Sequence, residues 1–332
     1  MLRVLIAPLI FLALSARAET TLFLTPQFEV QVQKDVAYGE GVVDSSSEPR
    51  TRKLTMDVYQ PLGETAPRKR PALVLAFGGF WHRGGKDAAP MHDAEGHQNT
   101  PMSGYCQAFA ARGYTCFSID YRLTQEDPGL ESPPHAEHLM DPEFAMQHKF
   151  LGGANGVRSE LGLAPLTDET RFWFWRAIVG SSEDMGKAVA YIRANAESFG
   201  IDPERVAVGG WSAGAFTSIN LAYGARVPVK AVFANSGGFW GYNLYKLQPA
   251  TDTPALLLLW GENDIPGLLQ IAPAVVQSMR GAGVDSQLAW VPGRGHFYRQ
   301  SDITLADDGS KMPLLERINQ FLFTKLDLAR LQ

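Results

Sequence analysis

Six short apolar runs set the architecture of this chain, at residues 72–77, 115–120, 206–208, 231–234, 255–260 and 288–291. Each is nearly continuous in hydrophobicity instead of alternating, and stretches of helical character lie between them. A strand that is apolar on both sides must be covered on both faces. Strands of this kind alternating with helices predict an α/β fold with a mainly parallel central sheet and helices on both faces. Ahead of these runs, residues 28–59 alternate in strand fashion, as in Lys53-Leu54-Thr55-Met56-Asp57-Val58-Tyr59, and Pro61 closes the run. They predict opening antiparallel strands.

Before the 206–208 strand, Met185, Val189, Ile192 and Ala196 recur at helical spacing. Ser181 or Ser182, ahead of Glu183 and Asp184, is the expected N-cap, and Gly200 the expected end. The stretch from Arg122 to Val179 is too long for a simple connection and reads as an inserted cap at about 122–180. Its aromatic run Phe172-Trp173-Phe174-Trp175 either belongs to that cap or only packs it onto the domain. With 332 residues, of which 45% are hydrophobic and 20% charged, the chain suits one globular domain over residues 19–332. A formal charge of -5 supplies no basic field for nucleic acid or an anionic membrane, and a small neutral or cationic molecule fits at least as well as partner.

Residues 1–18 differ from the rest: Arg3 gives a positive start, residues 4–14 are apolar, and Ala16-Arg17-Ala18 offers a small-residue cleavage site. That pattern predicts a signal peptide cut after Ala18 and a secreted or periplasmic product. The apolar run is too short for a bilayer, which takes roughly 20 residues, and no later segment is long enough. Export would place Cys106 and Cys116 where disulfides persist. The helix, the turn at Gly113 and the following strand can bring the two level, and the sequence leaves open a bridge or two buried thiols.

The chemistry is concentrated in Gly210-Trp211-Ser212-Ala213-Gly214, placed between the 206–208 strand and a helix running to about Tyr223. A serine on so tight a turn needs small neighbours, and Gly210 and Gly214 supply them. A hydroxyl is a poor nucleophile until a base takes its proton and a carboxylate orients that base. Asp264 and His296 follow the 255–260 and 288–291 strands, at the sheet edge where open α/β sheets place their sites. Glu262 falls earlier in its turn and Asp252 precedes its strand, so both are weaker acids for the role. Gly79 and Phe80, after the 72–77 strand, join Ala213 as expected oxyanion donors through their backbone amides. His135 and His138 are three apart in the insert and could hold a metal with an acidic neighbour, but proline-rich surroundings and no third ligand weigh against it and no metal is expected; His82, His92, His97 and His148 have no evident partner. Asn235-Ser236-Gly237-Gly238 reads as a loop beside the pocket.

These residues resemble the α/β-hydrolase carboxylesterases related to hormone-sensitive lipase and to small secreted esterases. The likeness covers about 52–326 apart from the insert. Besides the serine turn, it rests on Arg112-Gly113-Tyr114, on Ser118-Ile119-Asp120-Tyr121-Arg122-Leu123 and on the approach Gly200-Ile201-Asp202-Pro203-Glu204-Arg205-Val206. It implies the α/β-hydrolase fold, hydrolysis of short or medium acyl esters of small molecules through an acyl-enzyme, and no cofactor. The order Ser, Asp, His agrees. One departure is plain: that family usually opens its oxyanion loop with His-Gly-Gly, and here Phe77 stands where the His would be. The rival readings are a peptidase or amidase, a polyester depolymerase with an open cleft, and a non-catalytic binding module. Peptidases of this kind usually carry a propeller for which the chain has no room, and binding modules tend to lose triad members.

Overall fold

The computed structural model describes residues 22–131, 133, 135–244, 247 and 252–331; the leader expected at 1–18 lies outside them. The chain opens with β1 (Glu29–Val43) and β2 (Arg50–Leu62), a long antiparallel pair. The parallel centre comprises β3 (Arg70–Ala76), β4 (Thr115–Ile119), β5 (Ile201–Trp211), β6 (Ala231–Asn235), β7 (Ala255–Gly261) and β8 (Ser286–Val291). The short β9 (Ile303–Ala306) and β10 (Lys311–Pro313) return antiparallel at the far edge. All ten join one sheet in the order β1-β2-β4-β3-β5-β6-β7-β8-β9-β10. Every residue of β4, β6 and β7 is buried, which is why their sequences carry no polar face.

The helices are α1 (Met102–Ala110), α2 (Pro142–Ala145), α3 (Gly152–Glu160), α4 (Thr170–Ala194), α5 (Ala196–Phe199), α6 (Ala213–Ile219), α7 (Pro266–Gly281) and α8 (Leu314–Lys325). Of these, α1 packs on β2, β3 and β4, α4 and α6 on β3 and β5, and α8 on β6 and β7. Among the described residues no helix is long and apolar enough to cross a membrane.

Two expectations need correction. The helix expected from a cap at Ser181 or Ser182 begins eleven residues earlier, at Thr170, so the aromatic run forms its first turns. Phe174, Ile178, Ser181, Met185, Val189 and Ile192 are buried along one helical stripe that runs through both parts. The serines do not cap: the Ser182 hydroxyl donates to Val179 O (2.6 Å) and Ser181 Oγ lies 2.9 Å from Ile178 O, each carbonyl three residues back. β5 also starts earlier than residue 206. Ile201 already pairs with Arg70, and residues 202–205 form an irregularity before pairing resumes at Val206 with Ala72, so Asp-Pro-Glu-Arg reads locally as a turn.

Cys106 on α1 and Cys116 on β4 are joined by a disulfide, their Cα atoms 5.0 Å apart. Arg122, just past β4, is fully buried and spends its donors on fixed partners. Nε and Nη2 bind Asp184 of α4 (3.0 and 2.7 Å), and Nη1 binds the carbonyls of Gly129 (2.5 Å) and Val42 (3.0 Å). Its backbone amide donates to the same carboxylate, at 2.9 Å. This fan ties β1, the strand end and α4 together, and a guanidinium that loses its nearer counter-charge in such a place, keeping only Glu183 at 3.3 Å, is costly. Asp184→Ala is therefore expected to lower the free energy of unfolding by about 3–5 kcal/mol, read by urea titration.

Candidate active site

Between β5 and α6 the backbone turns at Ser212 with φ 52° and ψ −121°, a conformation that a non-glycine residue holds only when its surroundings impose it. The Ser212 amide donates to Asn235 O of β6 at 2.8 Å, while Ser212 O accepts from Ala215 and Phe216 in α6. Chain packs tightly around the turn. A Cβ on Gly214 would lie 1.9 Å from Ala76 O, and one on Gly210 2.5 Å from the same oxygen. These two glycines let β3 and the helix start close around the serine.

The turn after β7 and the loop after β8 lie back to back. Glu262 N donates to Val291 O (3.1 Å) and Asn263 N to Arg294 O (2.8 Å), and a Cβ on Gly261 would fall 1.9 Å from Gly295 O. This contact sets Asp264 opposite His296. His296 Nδ1 stands 2.7 Å from Asp264 Oδ1, and Nε2 stands 2.9 Å from Ser212 Oγ. Ser212, Asp264 and His296, 84 and 32 residues apart in sequence, thus form one hydrogen-bonded chain. Glu262 instead accepts from the Gly293 amide at 2.8 Å, at the surface.

Ser212 opens on a cavity of about 700 Å³ walled by Phe80, Phe216 and Trp240 from the domain and by Met140, Phe144 and Phe150 from the segment between β4 and α4. Phe80 and Ala213 line it; Gly79 does not. No described residue accepts from the amides of Phe80 and Ala213, the latter being an unsatisfied donor at the helix start. Of the aromatic run, Phe174 packs behind the wall against Phe80, Trp81 and Trp240, and none of the four lines the cavity. Two clusters of ligand-type side chains lie apart from the triad: His135, Glu137 and His138, and Asp93, Glu95 and His97.

The BD-FAE family model matches residues 175–231, from α4 through the Ser212 turn to the start of β6. Thermogutta terrifontis esterase 2, phosphorylated by paraoxon, superposes with a TM-score of 0.55 at 16% identity, over 89% of this chain and 94% of its own. A bacterial heroin esterase gives 0.51 and 17%, over 90% and 84%. An α/β hydrolase enzyme from a Medee basin deep-sea metagenome library gives 0.53 and 15%, over 90% and 99%. No curated protein matches the chain by sequence. The chain has the α/β-hydrolase fold.

Within this α/β-hydrolase frame several residues act that local sequence did not single out. Ser236, past the end of β6, donates to Asp264 Oδ2 at 2.5 Å and meets Tyr298 Oη at 2.8 Å; the Ile265 amide donates to Oδ1 at 2.7 Å. Burial alone would raise the Asp264 pKa, but the hydrogen bond and charge of His296, with those two donors, outweigh it and hold the carboxyl below its ordinary value. Trp211 Nε1 donates to His296 O at 3.1 Å and its ring packs on the imidazole.

The loop after β3 is held by contacts from elsewhere in the chain. Phe77 stacks on Tyr121 with centroids 4.3 Å apart, and Tyr121 Oη donates to Phe77 O at 2.8 Å. His82, which had no evident partner in the sequence, is fully buried and sets Nδ1 2.7 Å from Phe80 O. A carbonyl only accepts, so Nδ1 carries the proton, and Nε2 has no partner among the described residues. A buried chain of hydrogen bonds then joins this loop to the serine helix. Trp81 Nε1 donates to Ser181 Oγ (2.9 Å), Ser181 meets Thr217 Oγ1 (2.9 Å), and Thr217 donates to Ala213 O (2.8 Å).

Burial pushes the His82 pKa down to about 4, so the ring is neutral in the native state across the range where an unfolded imidazole takes a proton. Its contribution to stability is complete above the unfolded value of about 6.5 and is lost as pH falls toward the folded one. Between neutral pH and about pH 4 the wild type should lose about 3 kcal/mol more than His82→Gln, measured by urea titration at each pH.

Proposed function

We propose that the protein is a serine hydrolase that cleaves carboxylic esters of small molecules through Ser212, His296 and Asp264. The observation that carries this reading is His296, hydrogen-bonded at once to Ser212 Oγ and Asp264 Oδ1, beside an apolar cavity. His296 Nε2 takes the hydroxyl proton as Ser212 Oγ attacks the ester carbonyl carbon. The amides of Phe80 and Ala213 hold the resulting oxyanion, and Asp264 stabilises the imidazolium. His296 then protonates the departing alcohol, leaving an acyl-enzyme, and a water activated by the same imidazole releases the acid. No cofactor takes part in this scheme.

Esters are favoured over amides because the neighbours in fold are named as esterases. Walls contributed by the segment between β4 and α4 favour a small substrate with a short or medium acyl chain over a polymer surface, in keeping with a cap at about 122–180. The Cys106–Cys116 disulfide supports export to the periplasm or beyond, the outcome implied by the leader.

Labelling with a fluorophosphonate and turnover of p-nitrophenyl esters of increasing chain length test the reading. Ser212→Ala should abolish labelling and lower turnover at least roughly a thousandfold; a purified variant with wild-type turnover would end it. Ser181 is a positioning residue in this scheme, since its hydroxyl links the two arms that carry the oxyanion donors. Ser181→Ala should lower kcat roughly tenfold with KM little changed, while Ser212 still labels.

A further inference from the structure

We propose that His135, Glu137 and His138 form a surface site for a divalent transition metal of the zinc type, independent of the triad. The 3-10 turn Ala136–His138, with His135 at its start, is what makes the site. The His138 amide donates to His135 O at 2.8 Å, and with His135 itself in the left-handed region (φ 53°) the closed turn leaves the two imidazoles side by side. Their rings lie 5.7 Å apart and 11° from parallel. Glu137 supplies the third ligand: Oε1 lies 3.2 Å from His135 Nδ1 and 3.9 Å from His138 Nε2. All three donor atoms fall within 4.8 Å of one another.

Zinc bound at 2.0–2.2 Å by imidazole nitrogen and carboxylate oxygen in a tetrahedron needs donors about 3.3 Å apart. One pair already meets that spacing, and small side-chain rotations bring in the third nitrogen, leaving a fourth position for water. Two imidazoles and one carboxylate suit zinc, copper or nickel and not calcium or magnesium, which take oxygen ligands. The partial exposure of all three side chains gives the ion a path of entry.

The turn is fastened to the cavity wall. His138 O accepts from the Asn243 amide at 2.7 Å, Leu139 bridges to Tyr242, and Met140 N donates to Gly241 O at 2.9 Å. Met140, Tyr242 and Asn243 all line the cavity next to Ser212. An ion here would brace that wall without touching the reacting atoms. The other cluster is a poorer candidate because it offers one imidazole, that of His97, to two carboxylates, where the site proposed offers two. It serves as an internal control.

Zinc chloride titrated calorimetrically into the untagged full chain, at neutral pH after chelator treatment and dialysis, should show one site of micromolar affinity. His135→Ala and His138→Ala should each weaken it at least roughly tenfold, and the double variant should remove it. Asp93→Asn should leave it unchanged. Because the three side chains are exposed, these variants should keep the wild-type thermal unfolding profile without metal, and zinc should raise Tm only where His135 and His138 are present. The proposal is overturned if the wild type binds no zinc, if the double variant retains wild-type affinity, or if Asp93→Asn removes the site instead.

Discussion

The turn at Ser212 is the constraint on which the rest of the site depends. A residue with a side chain is held at φ 52° because its amide is bonded to Asn235 O and its carbonyl is taken up by α6, while Gly210 and Gly214 let Ala76 approach within contact that any Cβ would forbid. The strain persists because three parallel strands over-determine the position. From it follow the exposure of Oγ to the cavity and the free Ala213 amide at the mouth of the helix.

Asp264 and His296 reach that point by a separate device. Backbone bonds between the turn after β7 and the loop after β8 fuse two connections that are distant in sequence into one support, so Asp264 and His296 share a single scaffold. Ser236 and Tyr298 extend the support into the core, fixing the carboxylate oxygen that faces away from the imidazole. A similar logic holds the loop after β3, where Tyr121 and His82 bond the carbonyls of Phe77 and Phe80, and where Ser181 and Thr217 connect Trp81 to the serine helix. Ser181 thus serves geometry from the middle of α4, where a local reading expects a cap.

The segment between β4 and α4 gives the cavity its outer wall. It is built from short turns and the small helices α2 and α3, which present Met140, Phe144 and Phe150 toward Ser212. It is anchored to the domain by backbone bonds through Leu139, Met140 and the stretch near Tyr242, by side chains such as Arg83 on Glu160 and Trp240 on Ala145 O, and by buried Met146 and Leu151, with Arg122 and Asp184 tying the chain after β4 to α4.

The parallel core, the serine turn and the identities of Ser212, Asp264 and His296 were legible in the sequence. Each is written in residues next to one another: an unbroken apolar run, glycines flanking a serine, a carboxylate or imidazole just past a strand. What the sequence could not disclose involves groups far apart along the chain. Ser236 looks like any loop serine until Asp264, 28 residues on, is brought against it; His82 shows a partner only once Phe80 curls back through three successive positive φ angles. Ser181 reads as a helix cap because the local pattern of serine before acid is the same whether or not a helix continues upstream, and only the apolar stripe packed on the sheet decides that it does. Local sequence determined which backbone conformations and side-chain chemistries were present; packing across the sheet decided which of them met, since hydrogen-bond partners are chosen by distance in space and not by distance along the chain.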